Sequence, residues 1–220
     1  MSKFKTIMIL CMCFSIISIS KVYALVNDYT LLGKTIYLDP GHGGRDSGAI
    51  YKNIYEKDIN LIISKKIEKH LIAKGATVYL TRDTDIDLST TTINKKRSDL
   101  LNRAKLINNS KADMYISIHL NYISNSKWNG LQIFYNNKNK ENELIAAKLT
   151  TYLNECSKNI REPKKENIYY MYKQISVPGV LIELGFLSNP NDRYRLTQNE
   201  YQEKLAKNIA SSIEKYYSNI

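Results

Sequence analysis

Short apolar runs rich in isoleucine, valine and tyrosine alternate along this chain with longer stretches whose apolar positions recur every three or four residues. The first pattern predicts strands and the second amphipathic helices. Residues 34–39 (KTIYLD), 77–82 (TVYLTR), 114–119 (MYISIH), 131–135 and 179–184 (GVLIEL) are the predicted strands. Residues 56–74 are a predicted helix, with Ile59, Ile62, Ile63, Ile67 and Leu71 on one side and Gly75 placed to end it. Further helices are predicted over 97–109, 142–156 and 198–217, the last with Tyr201, Leu205, Ile209 and Ile213 on one face. Strands interleaved with helices favour a single α/β domain whose sheet is covered by helices on both faces. Residues 83–96 are polar and threonine-rich, a predicted surface loop of a length that often borders a site.

The first 24 residues follow a different pattern. Lys3 and Lys5 precede an apolar run over 7–19, and Val22-Tyr23-Ala24 offers compact residues for cleavage, the build of a secretory leader. The run is shorter than the roughly 18 residues a spanning helix needs, and Lys21 interrupts it. The expectation is a signal peptide over 1–24, cut after Ala24, and an exported domain over 25–220, with a retained anchor as the alternative. Cys11 and Cys13 leave with the leader, so Cys156 alone remains and no disulfide framework is expected within the domain.

Composition narrows the class further. The chain is 220 residues long and 43% hydrophobic, too apolar for a disordered chain, while four prolines and nine glycines are too few for a fibrous one. The formal charge of +11 suits a polyanionic partner such as a bacterial wall. The basic residues are scattered, with no long Lys/Arg run and no recognised binding motif, so nucleic acid is not an expected partner.

Candidate chemistry collects at strand ends. The first strand runs into His42 within the turn PGHGGRDSG, the 114–119 strand ends at His119, and Glu183 stands near the end of VLIELGF. Ligands bind beyond the carboxyl ends of strands in open α/β sheets. Glu56 would enter the same cleft from the start of the helix that follows the turn. Two histidines and a carboxylate are the ligand set of a catalytic zinc, and a further carboxylate left free can shuttle protons. Spacing alone leaves alternatives open: His119 as a core histidine, and Glu56 as a capping-box residue three positions after Asn53. Glu183, an acid inside an apolar run, needs a partner or a task. His70 reads as a core-edge residue and Cys156 as a packing residue. The glycine-rich turn lacks both the GxxxxGK[ST] and the GxGxxG pattern, which argues against nucleotide binding.

These residues resemble the zinc-dependent N-acetylmuramoyl-L-alanine amidases of the Amidase_3 type. The resemblance is carried by LDPGHGGRDSGA (38–49), Glu56-Lys57-Asp58, LTR (80–82), SIHLN (117–121) and PGVLIELGFLSN (178–189), in the family's order and spacing. It implies a mostly parallel sheet flanked by helices, zinc bound by His42, Glu56 and His119, and Glu183 as the catalytic carboxylate. Asn121 matches a family asparagine near the metal and is a candidate for substrate contact, or else a turn residue closing the strand. One departure stands out: Arg161-Glu162-Pro163-Lys164 replaces the usual Arg-Gly-Val-Lys-like stretch, and residues 168–175 (IYYMYKQI) are more aromatic than is usual.

The implied activity is hydrolysis of the amide between N-acetylmuramic acid and the L-alanine of the peptidoglycan stem peptide. Within the family the chain resembles the germination-specific enzymes of spore formers. Their stem-peptide removal is coupled to a peptidoglycan deacetylase in forming muramic-δ-lactam in the spore cortex. An accessory or activating exported protein is a further expectation. The alternatives are a vegetative or cell-separation autolysin, a zinc enzyme cleaving another bond, and a noncatalytic wall-binding protein.

Overall fold

The computed structural model describes residues 29–218. The expected signal peptide, with Cys11 and Cys13, lies outside the described residues. No helix among the described residues is long and apolar enough to cross a membrane.

A six-stranded sheet in the order β4-β1-β5-β8-β6-β7 forms the centre. Its strands are β1 (Thr35–Pro40), β4 (Thr77–Leu80), β5 (Met114–Asn121), β6 (Leu131–Tyr135), β7 (Ile160–Lys165) and β8 (Gly179–Phe186). Neighbours are parallel except β6, which runs antiparallel to β8. The inner strands β1, β5 and β8 are buried along nearly their whole length, which is why they read as continuous apolar runs. The edge strand β4 alternates exposed and half-buried positions.

Successive side chains of each inner strand serve opposite faces. Ile36 and Leu38, Ile116 and Ile118, and Val180 and Ile182 join the larger core with helices α1 (Glu56–Ala73), α3 (Glu141–Cys156) and α5 (Asn199–Ser218). Tyr37 and Tyr115 turn the other way, toward α2 (Lys95–Asn109) and the segment around Met171 and Ile175. Helices therefore cover both faces, as expected. The sequence-predicted strands and helices are all present, with ends shifted by one or two residues.

Several elements were not foreseen. A short hairpin, β2 (Ile50–Tyr51) with β3 (Ile54–Tyr55), leads into α1. Strand β7 has the sequence IREPKK, which carries no strand signal; it pairs only with β6, and Glu162 and Pro163 stand opposite Ile133 alone. An edge position with a bulge tolerates a proline that lacks a ladder donor. Helix α4 (Pro190–Leu196) starts from Asn189, whose side chain accepts from the backbone N–H groups of Asn191 and Asp192, with proline at its first position.

Two expectations are corrected. The capping-box reading of Glu56 fails, because α1 begins at Glu56 itself, after Tyr55, and no side chain caps it. Cys156, expected to pack, ends α3 with an exposed side chain. His70 lies half-buried between α1 and α5, with its Nε2 2.8 Å from Glu203 Oε1, in keeping with a core-edge role.

Candidate metal centre

The turn after β1 is built by its own backbone. Gly43 and Asp46 exchange N–H···O bonds of 2.9 and 3.1 Å, and His42 between them and the strand has φ 62°. The chain then passes through the β2–β3 hairpin and enters α1 at Glu56, whose carboxylate sits at the positive end of that helix. His119 reaches the same point from the end of β5.

Glu56 is the hub of the arrangement. It is 4% exposed. Its Oε1 accepts from the backbone N–H of Leu120 at 3.0 Å and lies 3.0 Å from His119 Nδ1 and 3.2 Å from His42 Nε2. Its Oε2 accepts from the backbone N–H of Ala49 at 2.8 Å. The two imidazoles meet edge to face, with centroids 4.9 Å apart. One ligand atom from each of His42, Glu56 and His119 lies within 4.8 Å of the others.

Two glycines make room for these side chains. A Cβ on Gly41 would lie 2.2–2.6 Å from three ring atoms of His119. A Cβ on Gly48, at φ 64°, would lie 2.5 Å from Glu56 Oε2 and 2.7 Å from His42 Cδ2. The glycines of the turn thus admit close packing of the His42, Glu56 and His119 side chains rather than cradling a phosphate.

The donor set fits a metal ion. Two imidazole nitrogens and a carboxylate oxygen converge from three different elements, and three protein ligands leave room for water or substrate. Asp46 Oδ2 lies 2.9 Å from His42 Nδ1, a charge contact on the side of the ring away from Nε2, which faces Glu56. Burial alone would lower the His42 pKa, but Asp46 and Glu56 raise it to about 9. Against the opposing effect of burial, His119 and His42 hold the Glu56 carboxyl well below the ordinary carboxylate range.

Glu183 stands in the same cleft. Its Cα pairs with that of His119 on the adjacent parallel strand. The side chain is 7% exposed, and its Oε2 has no hydrogen-bond partner. Burial, with the charge of Glu56, pushes its pKa up to about 8, His42 acting in the opposite sense. Asn121 closes β5 and lines the cleft, while its backbone oxygen accepts from Leu187 N–H at 2.8 Å. The cleft, about 360 Å³, is also lined by Tyr169 and Tyr172 from the aromatic segment 168–175, which meet edge to face at 5.4 Å.

Several residues around the centre escaped the sequence reading. Asp46 lies four positions after His42, inside the motif itself. Behind the turn, Arg103 bonds Asp39 at 2.8 Å and Asp99 at 2.7 Å, all three buried. The available signal was the position of Arg103 on the otherwise apolar face of α2 with Leu100, Ala104 and Ile107.

A family model described as N-acetylmuramoyl-L-alanine amidase (Amidase_3) matches residues 36–215. The chain is 42% identical over 193 residues to the germination-specific N-acetylmuramoyl-L-alanine amidase of Bacillus subtilis, covering 86% of this chain and 81% of that protein. Over a similar stretch it is 33% identical to the amidase LytC of the same organism, covering 85% of this chain and only 36% of LytC. Among solved structures, the CwlD amidase from Clostridioides difficile, in complex with the GerS lipoprotein, superimposes with a TM-score of 0.78 at 39% identity, covering 86% of this chain and all of that one.

Proposed function

The chain belongs to the N-acetylmuramoyl-L-alanine amidase family, and from that membership we propose that it cleaves the amide joining the lactyl group of N-acetylmuramic acid to the L-alanine of the stem peptide, using zinc held by His42, Glu56 and His119. The observation that carries this reading is the convergence of those three side chains beside Glu183, a buried carboxylate with a free oxygen. When bound, zinc supplies Lewis-acid polarisation of the scissile carbonyl and a lowered pKa for water.

The chain's own groups do the rest. Asp46 orients His42, and the backbone N–H groups of Ala49 and Leu120 orient Glu56. Glu183 takes a proton from the attacking water and delivers it to the departing alanine nitrogen. The carbonyl carbon gains the water oxygen as the C–N bond breaks, leaving a lactyl carboxylate on the sugar and a free amine on the peptide. Burial of Glu183 suits this task, since a carboxylate with a raised pKa is the stronger base toward the water proton, and the carboxyl so formed can still pass that proton to the more basic departing amine.

The likeness to a germination-specific relative supports a role in the spore cortex. There, stripping the stem peptide frees the lactyl carboxylate, and a deacetylase acting on the neighbouring N-acetyl group frees the amine that closes the δ-lactam. A cortex role calls for action outside the cytoplasm, and a cleaved leader over 1–24 would deliver the domain there. The GerS lipoprotein in the CwlD structure supports an exported accessory protein as a partner here too.

The test is mass spectrometry of peptidoglycan digested by the zinc-loaded protein. The reading expects free stem peptides that begin with L-alanine. Unchanged muropeptides would point to a wall-binding protein, and products cut at another bond to a different hydrolase.

A further inference from the structure

Three consecutive backbone carbonyls, those of Pro40, Gly41 and His42, lie where β1 leaves the sheet, and two buried arginines receive all of them. Arg82 donates from Nε to Pro40 O at 2.9 Å and from Nη2 to Gly41 O at 3.0 Å. Arg103 donates from Nη1 to Pro40 O at 2.8 Å and from Nη2 to His42 O at 2.5 Å. Both side chains make further bonds. Arg82 also bonds the backbone oxygens of Lys57 and Thr84. Arg103 bonds Asp99 and Asp39, and Asp39 is held in turn by Thr81 and Ser117.

Two guanidinium groups buried on one shared acceptor are costly, and apolar packing would hold a turn more cheaply if nothing depended on its orientation. Something does depend on it. His42 sits in the left-handed region at φ 62°, which a residue with a Cβ rarely occupies unless its surroundings impose it. Its carbonyl is held by Arg103 and the carbonyl before it by Arg82, so the arginines set the peptide planes from which the imidazole projects.

We infer that Arg82 and Arg103 are positioning residues for His42, whose two guanidinium forks fix the 40–42 backbone and thereby preorganise the metal centre. The inference rests on the metal role proposed above for His42. Lysine would keep each charge but cannot bridge two carbonyls with a rigid fork, so charge and geometry can be separated.

The experiment measures zinc affinity by chelator competition for the full domain and its Arg82→Lys, Arg103→Lys and Lys66→Met variants, with circular dichroism recording the folded fraction. Lys66 pairs with Glu203 between α1 and α5 and serves as the remote control. Folded Arg82→Lys and Arg103→Lys should bind zinc about 10- to 100-fold more weakly than the parent, as loss of an outer-shell partner does, while Lys66→Met matches it. Should either arginine variant fail to fold, Thr81→Val removes the Thr81 bonds to Asp39 and Arg103 and should weaken zinc binding by less than the roughly tenfold cost of losing an outer-shell partner, with the fold intact. Unchanged affinity in the folded arginine variants, or in Thr81→Val where those do not fold, overturns the inference, because a merely structural role lowers the melting temperature without altering the folded protein's affinity. A parent protein that binds no zinc contradicts the proposed function and removes the basis of this inference; a parent that binds it alongside unaffected variants contradicts the inference alone.

Discussion

His119 and Glu183 are Cα partners on the adjacent parallel strands β5 and β8. Partnered residues of parallel strands share a face, so a candidate ligand and a candidate proton carrier are held side by side by the backbone of the sheet, independently of any loop. This fixed spacing lets the two roles be separated by mutation. Glu183→Gln should lower kcat by about 100- to 10,000-fold, the range for loss of a general base, while zinc content stays that of the parent. Turnover within tenfold of the parent would remove Glu183 from the mechanism.

Gly41→Ala probes the close approach of His119 to the turn. Gly41 does not need a left-handed backbone, but its new Cβ would fall 2.2–2.6 Å from the imidazole, so the ring must move. The expected outcome is at least about tenfold weaker zinc binding with a far-UV spectrum like the parent's. Parent-like affinity would show that the ring can shift without leaving the ligand position.

Asp46→Ala removes the carboxylate that lies 2.9 Å from His42 Nδ1. Loss of such a partner costs about 10- to 100-fold in metal affinity, and chelator competition reads it directly. Equal affinity would mean that the turn alone orients His42.

Asp39 ties acid stability to the network behind the site. Burial by itself would raise its pKa, but Arg103, Ser117 and Thr81 bring it below the ordinary value. A carboxyl with a lowered folded-state pKa stabilises the fold above its unfolded pKa of about 4 and loses that contribution as pH falls toward the folded value. Asp39→Asn should therefore destabilise the domain by about 3–5 kcal/mol at pH 7, the cost of breaking a buried pair, and denaturant titrations of the two proteins should converge below about pH 4. A difference that is constant from pH 7 to pH 3 would contradict this role.

The inner sheet was legible in the sequence because β1, β5 and β8 bury both faces and read as apolar runs; β7 was not, because its bulged edge admits Glu162 and Pro163. At the site, His42 and Glu183 announced themselves by occupying a glycine-rich turn and an apolar strand, positions where an idle polar side chain is unexpected. Glu56 and His119 were ambiguous from spacing alone, and only the family resemblance singled them out as ligands; the fold sets them 3.0 Å apart. The arginine clasp was hidden for a topological reason. Arg82 follows β4, Arg103 sits in α2, and both meet the turn after β1 only because β4 pairs with β1 and α2 packs on the same face.

The central claim is tested most directly by digesting peptidoglycan with the zinc-loaded protein in ¹⁸O-labelled water and locating the label by mass spectrometry. The account predicts one labelled oxygen in the lactyl carboxylate of muramic acid and an unlabelled stem peptide with a free L-alanine amine. Label in a peptide carboxyl group or in released acetate, or none in the lactyl carboxylate, would contradict it.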